Sequence, residues 1–345
     1  MSAIVQAFKD ADLRKKILIT IALIVLYRIG AQIPTPGVDY GIIAERLNAL
    51  TQGDESNIFS VISLFSGGAL LQLSIFAIGI MPYITASIIV QLLTVVIPRF
   101  EELKKEGQSG QAKMTQYTRY LTVALALLQS SGIVALADRE QLLGQGVPVL
   151  VEDRNLWTLA MMVIVMTSGA VLIMWLGEII TEKGVGNGMS LLIFAGIATR
   201  LPTDGANIFR QSGPVVFGVV IAAVILLVVG IVFIEQGQRR IPVQYAKRMV
   251  GRRQYGGTST YLPLKVNQAG VIPVIFASSL MYVPVLITQI INSNKPTPPD
   301  NWWMSTVMAW LQNPASWQYI LTYFVLIIFF AYFYVSIQYL SLIHI

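Results

Sequence analysis

Val215-Val-Phe-Gly-Val-Val-Ile-Ala-Ala-Val-Ile-Leu-Leu-Val-Val-Gly-Ile-Val-Phe-Ile234 runs for twenty residues without a charged or hydrogen-bonding side chain. A helix of that length rises about 30 Å, the thickness of a bilayer's hydrocarbon core. Residues 156–176 form a second stretch free of charge. The whole chain has the same character: of 345 residues, 55% are hydrophobic and only 12% charged, with a mean hydropathy of +0.66. Soluble domains carry about a quarter charged residues, so the fold class is an all-α, polytopic helical membrane protein. With no cysteine and one histidine, disulfide scaffolds, thiolate metal centres and most catalytic constellations are excluded.

Eight hydrophobic segments are expected to span: residues 17–33, 74–97, 120–136, 156–176, 189–197, 215–234, 270–291 and 319–340. The fifth is the weakest, being short and closed by Arg200. The first follows Lys9, Arg14, Lys15 and Lys16 as a secretory signal would. It contains Arg28, lacks a small-residue cleavage site and runs into Pro34-Thr-Pro-Gly37, so it reads as a retained helix. The amino terminus and the loops after spans two, four and six hold 17 Lys and Arg, against 6 in the opposite loops. That asymmetry places both ends in the cytoplasm and accounts for the formal charge of +6.

Asn57-Ile-Phe-Ser-Val-Ile-Ser-Leu-Phe-Ser66 is apolar but too short to cross, and Gly67-Gly68 separates it from the second span. It reads either as an interfacial helix or as a re-entrant segment buried in protein. The second span contains Gly79-Ile-Met-Pro82-Tyr-Ile84-Thr-Ala86-Ser87 and the seventh Gly270-Val-Ile-Pro273-Val-Ile275-Phe-Ala277-Ser278, identical at five of nine positions. Paired Gly/Pro breaks of this kind point to a translocation path between two structural repeats. A repeat pairing span two with span seven has five helices, so a complete molecule would have ten; the chain looks truncated after eight. His344, in the abrupt ending, reads as an incidental residue and not as a catalytic group.

Ile80 and Ile84 share one helix face, and Ile275 is the repeat partner of Ile84. A ring of branched apolar side chains can seal a pore by dewetting; lipid contact and ordinary core packing use isoleucine equally well. Spans two, four, six, seven and eight contain no Asp, Glu, Lys, Arg or His, whereas ion-coupled transporters usually need intramembrane charged groups.

Several blocks together resemble the SecY family of bacterial protein-conducting channel subunits. Tyr27-Arg-Ile-Gly-Ala-Gln-Ile-Pro-Thr-Pro-Gly37 is similar to the end of its first helix. Leu64-Phe-Ser-Gly-Gly-Ala69 and Ile75-Phe-Ala-Ile-Gly-Ile-Met-Pro-Tyr-Ile-Thr-Ala-Ser-Ile-Ile-Val-Gln-Leu-Leu93 look like its plug and second helix. Glu182-Lys-Gly-Val-Gly-Asn-Gly-Met-Ser190 resembles the start of its fifth helix. Arg239-Arg-Ile-Pro-Val-Gln-Tyr-Ala-Lys-Arg248 and Lys265-Val-Asn-Gln-Ala-Gly-Val-Ile-Pro273 resemble its large cytoplasmic loop and seventh helix.

The resemblance implies two pseudo-symmetric five-helix halves. Residues 1–205 would be the first, and 206–340 an incomplete second half with a basic loop at 236–265. Residues 341–345 form an unmatched tail. It implies a pore ring of Ile80, Ile84, Ile193 and Ile275, and a plug over 58–68 that includes Phe59, Ile62, Leu64, Phe65, Gly67 and Gly68. The second and seventh helices would form a lateral gate, with Gln91, Ser278 and Ser279 as candidate polar contacts. Arg239, Arg240, Lys247, Arg248, Arg252 and Arg253 would dock the ribosome and the SecA motor, and SecE and SecG would be partner subunits. Signal sequences, nascent polypeptides and membrane lipid complete the expected partners; the expected location is the bacterial inner membrane.

The expected function is the central channel of a protein translocase, passing unfolded secretory chains and releasing apolar segments sideways into lipid. No cofactor or metal is expected, and no enzymatic activity, because the spans hold neither an Asp pair nor a Ser–His or Ser–Lys arrangement. The alternative is an ion- or proton-coupled secondary transporter of a small solute, built on inverted repeats. The seven Lys and Arg between spans six and seven, with Tyr245, Tyr255 and Tyr261 nearby, also suit a ribosomal RNA or acidic protein surface. Plain positive-inside anchoring explains part of that charge. Glu178 is expected to make only a helix-end or loop contact.

Overall fold

The computed structural model describes residues 10–43, 67–70, 72–140, 149–151, 155–243, 248–250, 253–255, 260–278, 280–281, 284, 310–311, 313 and 316–343. The chain divides into two compact units, Met1–Asp204 with Ser278–Phe324, and Gly205–Ala277 with Val325–Ile345.

In the first unit, α1 (Ala11–Gly30) starts at Asp10, whose carboxylate accepts from the Asp12 amide at 3.1 Å. The second expected span departs from a plain helix. Helix α2 covers only Met81–Val96, while residues 74–80 are non-helical. Pro82 explains the late start, since a residue without an N–H fits the first turn of a helix and little else. Sixteen helical residues rise about 24 Å, less than the ~30 Å hydrocarbon core.

The irregular residues before α2 must satisfy their backbone inside protein, and they do so against the chain just after α1. The Ile75 amide donates to the Ile33 carbonyl at 3.0 Å, and the Thr35 amide to the Leu73 carbonyl at 3.0 Å. The Thr35 hydroxyl donates to the same carbonyl. Leu73, Ser74, Phe76, Ala77, Ile78 and Ile80 are all buried. Phe76 stacks on Tyr27 of α1 with centroids 5.9 Å apart.

After α2, Ile97 is extended (φ −108°, ψ 114°) because Pro98 follows it. Helix α3 (Pro98–Lys105) turns away there by 97°. Helices α4 (Gln108–Asp138) and α5 (Leu156–Lys183) run well beyond the expected 120–136 and 156–176. Met162, Met166, Ile173, Leu176 and Ile180 recur at helical spacing on α5 and are fully buried. Gly169 of α5 lies so near the Ile75 carbonyl oxygen that a Cβ there would come within 2.0 Å of it. Small residues permit such approach in membrane proteins, where lipid supplies little drive to pack. Thr167 and Ser130 add a buried hydroxyl pair between α5 and α4 at 2.8 Å.

Helix α6 (Gly188–Gln236) contains two expected spans and corrects the first of them. The fifth span does not close at Arg200; the helix continues to Gly213, whose φ of 79° and ψ of 173° break it. That conformation belongs almost only to glycine, and Pro214 then restarts a helix. In the second unit, Phe209 and Phe217 meet edge-on across the break at 5.6 Å. Residues 215–234 are exposed almost throughout.

The basic loop adds strands to an otherwise helical fold. β1 (Gln238–Val243) pairs antiparallel with β4 (Thr260–Lys265), and β2 (Arg248–Val250) with β3 (Arg253–Tyr255). Beyond it, residues 272–278 are helical, and Phe276 stacks on Phe330 of α7 (Trp317–Ile343) at 4.9 Å. Among the described residues, Gln108–Asp138, Leu156–Lys183, Gly188–Gln236 and Trp317–Ser336 are long and apolar enough to cross a membrane, with α2 and α3 a fifth candidate if the bent pair is one span.

Candidate functional site

The isoleucines assigned to a pore ring fall in two units. Ile80 caps α2 and Ile84 lies one turn on, its amide donating to the Ile80 carbonyl at 3.2 Å. Both are buried, Ile80 at 4% exposure and Ile84 at 9%. Ile193, half-buried on α6, belongs to the same unit. Ile275 is buried in the helical turn of the second unit.

Of the plug residues, Gly67 and Gly68 are described, with φ of 65° and 89°. Phe59, Ile62, Leu64 and Phe65 lie outside the described residues. Two consecutive left-handed residues demand glycine, which is why the segment ends in this pair. Gln91 is exposed on α2, and its carbonyl accepts from the Thr94 hydroxyl at 2.6 Å. Ser278 is half-buried in the first unit; Ser279 lies outside the described residues.

Arg239 and Arg240 are exposed neighbours on β1, opposite Leu264 and Pro263 of β4. Successive strand residues point to opposite faces, so the two guanidinium groups leave the ribbon on different sides. Arg248 and Arg253 sit on β2 and β3, while Lys247 and Arg252 lie outside the described residues. Outside the spans, Lys105 of α3 is held above the usual lysine pKa by its hydrogen bond to Glu101, 2.8 Å away.

Two charged features escaped the sequence reading. Arg119, counted there as a loop cation, lies inside α4 and grips Glu178 of α5 with two hydrogen bonds, Nε to Oε1 at 3.0 Å and Nη2 to Oε2 at 2.8 Å. Glu178 therefore joins two helices and does more than make a helix-end contact. Tyr83 of α2 lies in the field of both charges. Nothing in sequence spacing pairs residues 59 positions apart. The other feature is Arg28, in the last turn of α1, whose Nη1 is buried without a hydrogen-bond partner among the described residues. Its charge inside a span was the available signal. No cluster of three or more His, Cys, Asp or Glu side chains able to hold a metal occurs among the described residues.

The backbone break before α2 is covered by protein and lies beside the buried Ile80 and Ile84, as irregular backbone at membrane depth requires. Comparison with known proteins gives the chain its relatives. The family model SecY matches residues 74–343. A relative from Corynebacterium glutamicum, protein translocase subunit SecY, is 78% identical over 339 residues, covering 98% of this chain and 77% of the relative. The fold is similar to that of a solved protein-conducting channel, with a TM-score of 0.57 and 16% identity over 91% of this chain and 70% of that one. It is also similar to Sec61 in the canine ribosome-channel complex from the endoplasmic reticulum, with a TM-score of 0.54 and 16% identity over 84% of this chain and 62% of that one.

Proposed function

The chain belongs to the SecY family, and we propose from that premise that it is the channel subunit of a protein translocase, passing unfolded secretory proteins through the cytoplasmic membrane. The observation that carries the reading is kinship with a translocase subunit over 98% of this chain and 77% of that relative. The broken, protein-covered start of the second span supports it.

In this reading residues 1–205 and 206–340 belong to two pseudo-symmetric halves, and Ile80, Ile84, Ile193 and Ile275 form the constriction. Branched apolar side chains exclude water and ions by dewetting, yet offer a passing peptide no site at which to bind tightly. A selective polar filter would stall a substrate whose side chains vary at every step. The segment 58–68 acts as the plug above that ring. Gln91, Ser278 and Ser279 tune a lateral gate between the second and seventh helices, through which a segment of ~20 apolar residues leaves for lipid.

The chain performs no covalent chemistry in this scheme, so the energy comes from a partner. The basic hairpins over 236–265 dock the ribosome or the SecA motor, with Arg239, Arg240, Lys247, Arg248, Arg252 and Arg253 as contacts. Their charge suits phosphate or an acidic protein face, and the ribosome is the partner of one structural neighbour. SecE and SecG complete the complex, with the amino terminus in the cytoplasm and the bacterial inner membrane as location.

The test is to photo-crosslink a stalled secretory chain from residue 84 or 275 of the assembled translocase. Crosslinks from both positions to the translocating chain are expected. Crosslinks from lipid-facing position 225 alone, or from none, would remove these isoleucines from the path. Replacing Ile84 by Asn is expected to raise ion leak; selective loss of uptake of one small solute would favour the transporter alternative.

A further inference from the structure

Helices α4 and α5 are fastened to each other at two places, and the two fastenings are unlike. Ser130 and Thr167 meet as a buried hydroxyl pair at 2.8 Å. Arg119 and Glu178 meet as a charged pair, Nε to Oε1 at 3.0 Å and Nη2 to Oε2 at 2.8 Å. Nη1 of Arg119 donates to the Gln116 side chain at 3.2 Å, so every nitrogen of the guanidinium has an acceptor and its orientation is fixed. The two sites lie eleven residues apart on α4, at 119 and 130, and eleven apart on α5, at 167 and 178. Eleven residues make close to three full turns, about 16 Å of rise. Both fastenings therefore fall on one face of each helix and join the two into an antiparallel wall.

A hydroxyl pair is enough to register two helices in a membrane. A charge within spanning helices is costly and marks a place that function uses. Arg119 directly precedes the apolar run from Tyr120, and Glu178 follows the uncharged residues 156–176; its side chain is only 19% exposed. Helix α2 packs on both α4 and α5. Tyr83, in the field of both charges, stands between Ile80 and Ile84 in the chain. It lies about 100° round the helix from Ile84, so one side of this turn meets the charged pair while another carries the two isoleucines. All of these residues belong to the first unit.

We propose that Arg119 and Glu178 are positioning residues for the seal: their grip fixes the α4–α5 wall at the level of Ile80 and Ile84, and α2, resting on that wall, holds the two isoleucines where they close the conduit. A dewetted constriction fails when it widens enough to admit water, whereas an open path is indifferent to a shift of that size. The pair thus favours the closed state over the open one, and only such a difference can bias the equilibrium. The inference rests on reading Ile80 and Ile84 as part of the constriction.

The experiment uses the complete translocase complex and reads three quantities: ion leak of the resting complex in liposomes, export of a reporter carrying an intact or a weakened signal sequence, and the melting temperature. The variants are Arg119→Gln, Glu178→Gln, the exchanged pair Arg119→Glu with Glu178→Arg, and Ser130→Ala with Thr167→Val as the uncharged counterpart. Either glutamine is expected to raise the leak, and to raise export of the weakened reporter about tenfold, because one charge loses its partner. Export of the intact reporter is expected to stay within about twofold, since a strong signal opens the channel either way. The exchanged pair is expected to bring leak and weakened-signal export back toward their original values. Arg119→Lys, milder because it keeps the charge and loses the two-pronged grip, is expected to leak less than Arg119→Gln. Loss of the hydroxyl pair is expected to lower the melting temperature without raising the leak.

Glutamine variants with a lowered melting temperature but unchanged leak and unchanged signal discrimination would make the pair ordinary helix packing and overturn the proposal. So would an exchanged pair as leaky as the single variants. Equal leak from the hydroxyl variants would overturn it too, by showing that any loosening of α4 against α5 opens the channel. Ile84→Asn, measured beside them, tells the two readings apart. Without leak from Ile84→Asn the constriction lies elsewhere and both readings fall. With leak from Ile84→Asn and none from the glutamine variants, the constriction stands and the role of the pair alone falls.

Discussion

Residues 67–80 and residues 215–234 are both apolar stretches of a membrane protein, and the structure treats them in opposite ways. The first is irregular, carries Gly67, Gly68 and Gly79 in left-handed conformations, and has no exposed residue among those described, with residues 76–80 all buried. The second is an unbroken helix exposed on every side. Hydrophobicity alone does not separate them. The deciding quantity is where the backbone hydrogen bonds go. A helix satisfies its own and tolerates lipid around it, while irregular backbone must borrow partners from Ile33 and Thr35 and stay under protein cover.

That contrast can be broken at four points, in descending size of effect. Gly169→Leu forces a side chain into the Ile75 carbonyl. The expected loss is about 4 kcal/mol or more, beyond the usual cost of overpacking because main chain has to move; a thermal melt of the purified complex in detergent measures it. A near-normal melting temperature would mean that the irregular segment does not rest on α5. Ile225→Arg puts a charge at the centre of the exposed helix and is expected to cost about 3 kcal/mol in membrane insertion, read from glycosylation mapping of the inserted fraction. A much smaller penalty would indicate a watery or protein-covered surface in place of lipid.

Thr35→Val removes the hydroxyl that shares the Leu73 carbonyl with the Thr35 amide. Because the amide bond remains, the expected loss is about 1 kcal/mol, again in the melting temperature. Gly230→Ala adds a methyl group where nothing lies within 4 Å. It is expected to be neutral or to stabilise by less than about 1 kcal/mol, with unchanged export of a reporter. Destabilisation at that position would show that a partner covers the helix.

The helices were legible in the sequence to the extent that they satisfy themselves. Residues 156–176 and 215–234 announce spans by composition, and the structure extends them without moving them. The Gly79/Pro82 break in the second span was visible in the sequence and the helix does begin there, but hydropathy continues smoothly through residues 74–80 and does not register that Ile75 bonds to Ile33. Arg200 looked like an end because charges usually mark one; the helix stops at Gly213, where backbone geometry and the following proline coincide. The strands in the basic loop were missed for a related reason. Pairs such as Arg239 with Leu264 carry no alternation of apolar and polar residues, since neither face of the ribbon is buried against a core.

The candidate site divides in the same way. Ile80 and Ile84 could be placed on one face from their spacing, and the backbone bond between them shows that spacing realised. The grip of Arg119 on Glu178 and the approach of Arg28 to Gly67 depend on residues distant in sequence meeting at one point. Charge at positions 28 and 119 was visible beforehand; its company was not.

A ribbon two strands wide has no inside. Arg239 and Arg240 are adjacent on β1 and leave from opposite sides, so a flat surface laid against the hairpin can reach only one of them. A partner that responds equally to the loss of either arginine must close around the ribbon as a socket closes around a finger. A partner that responds to one alone lies beside it.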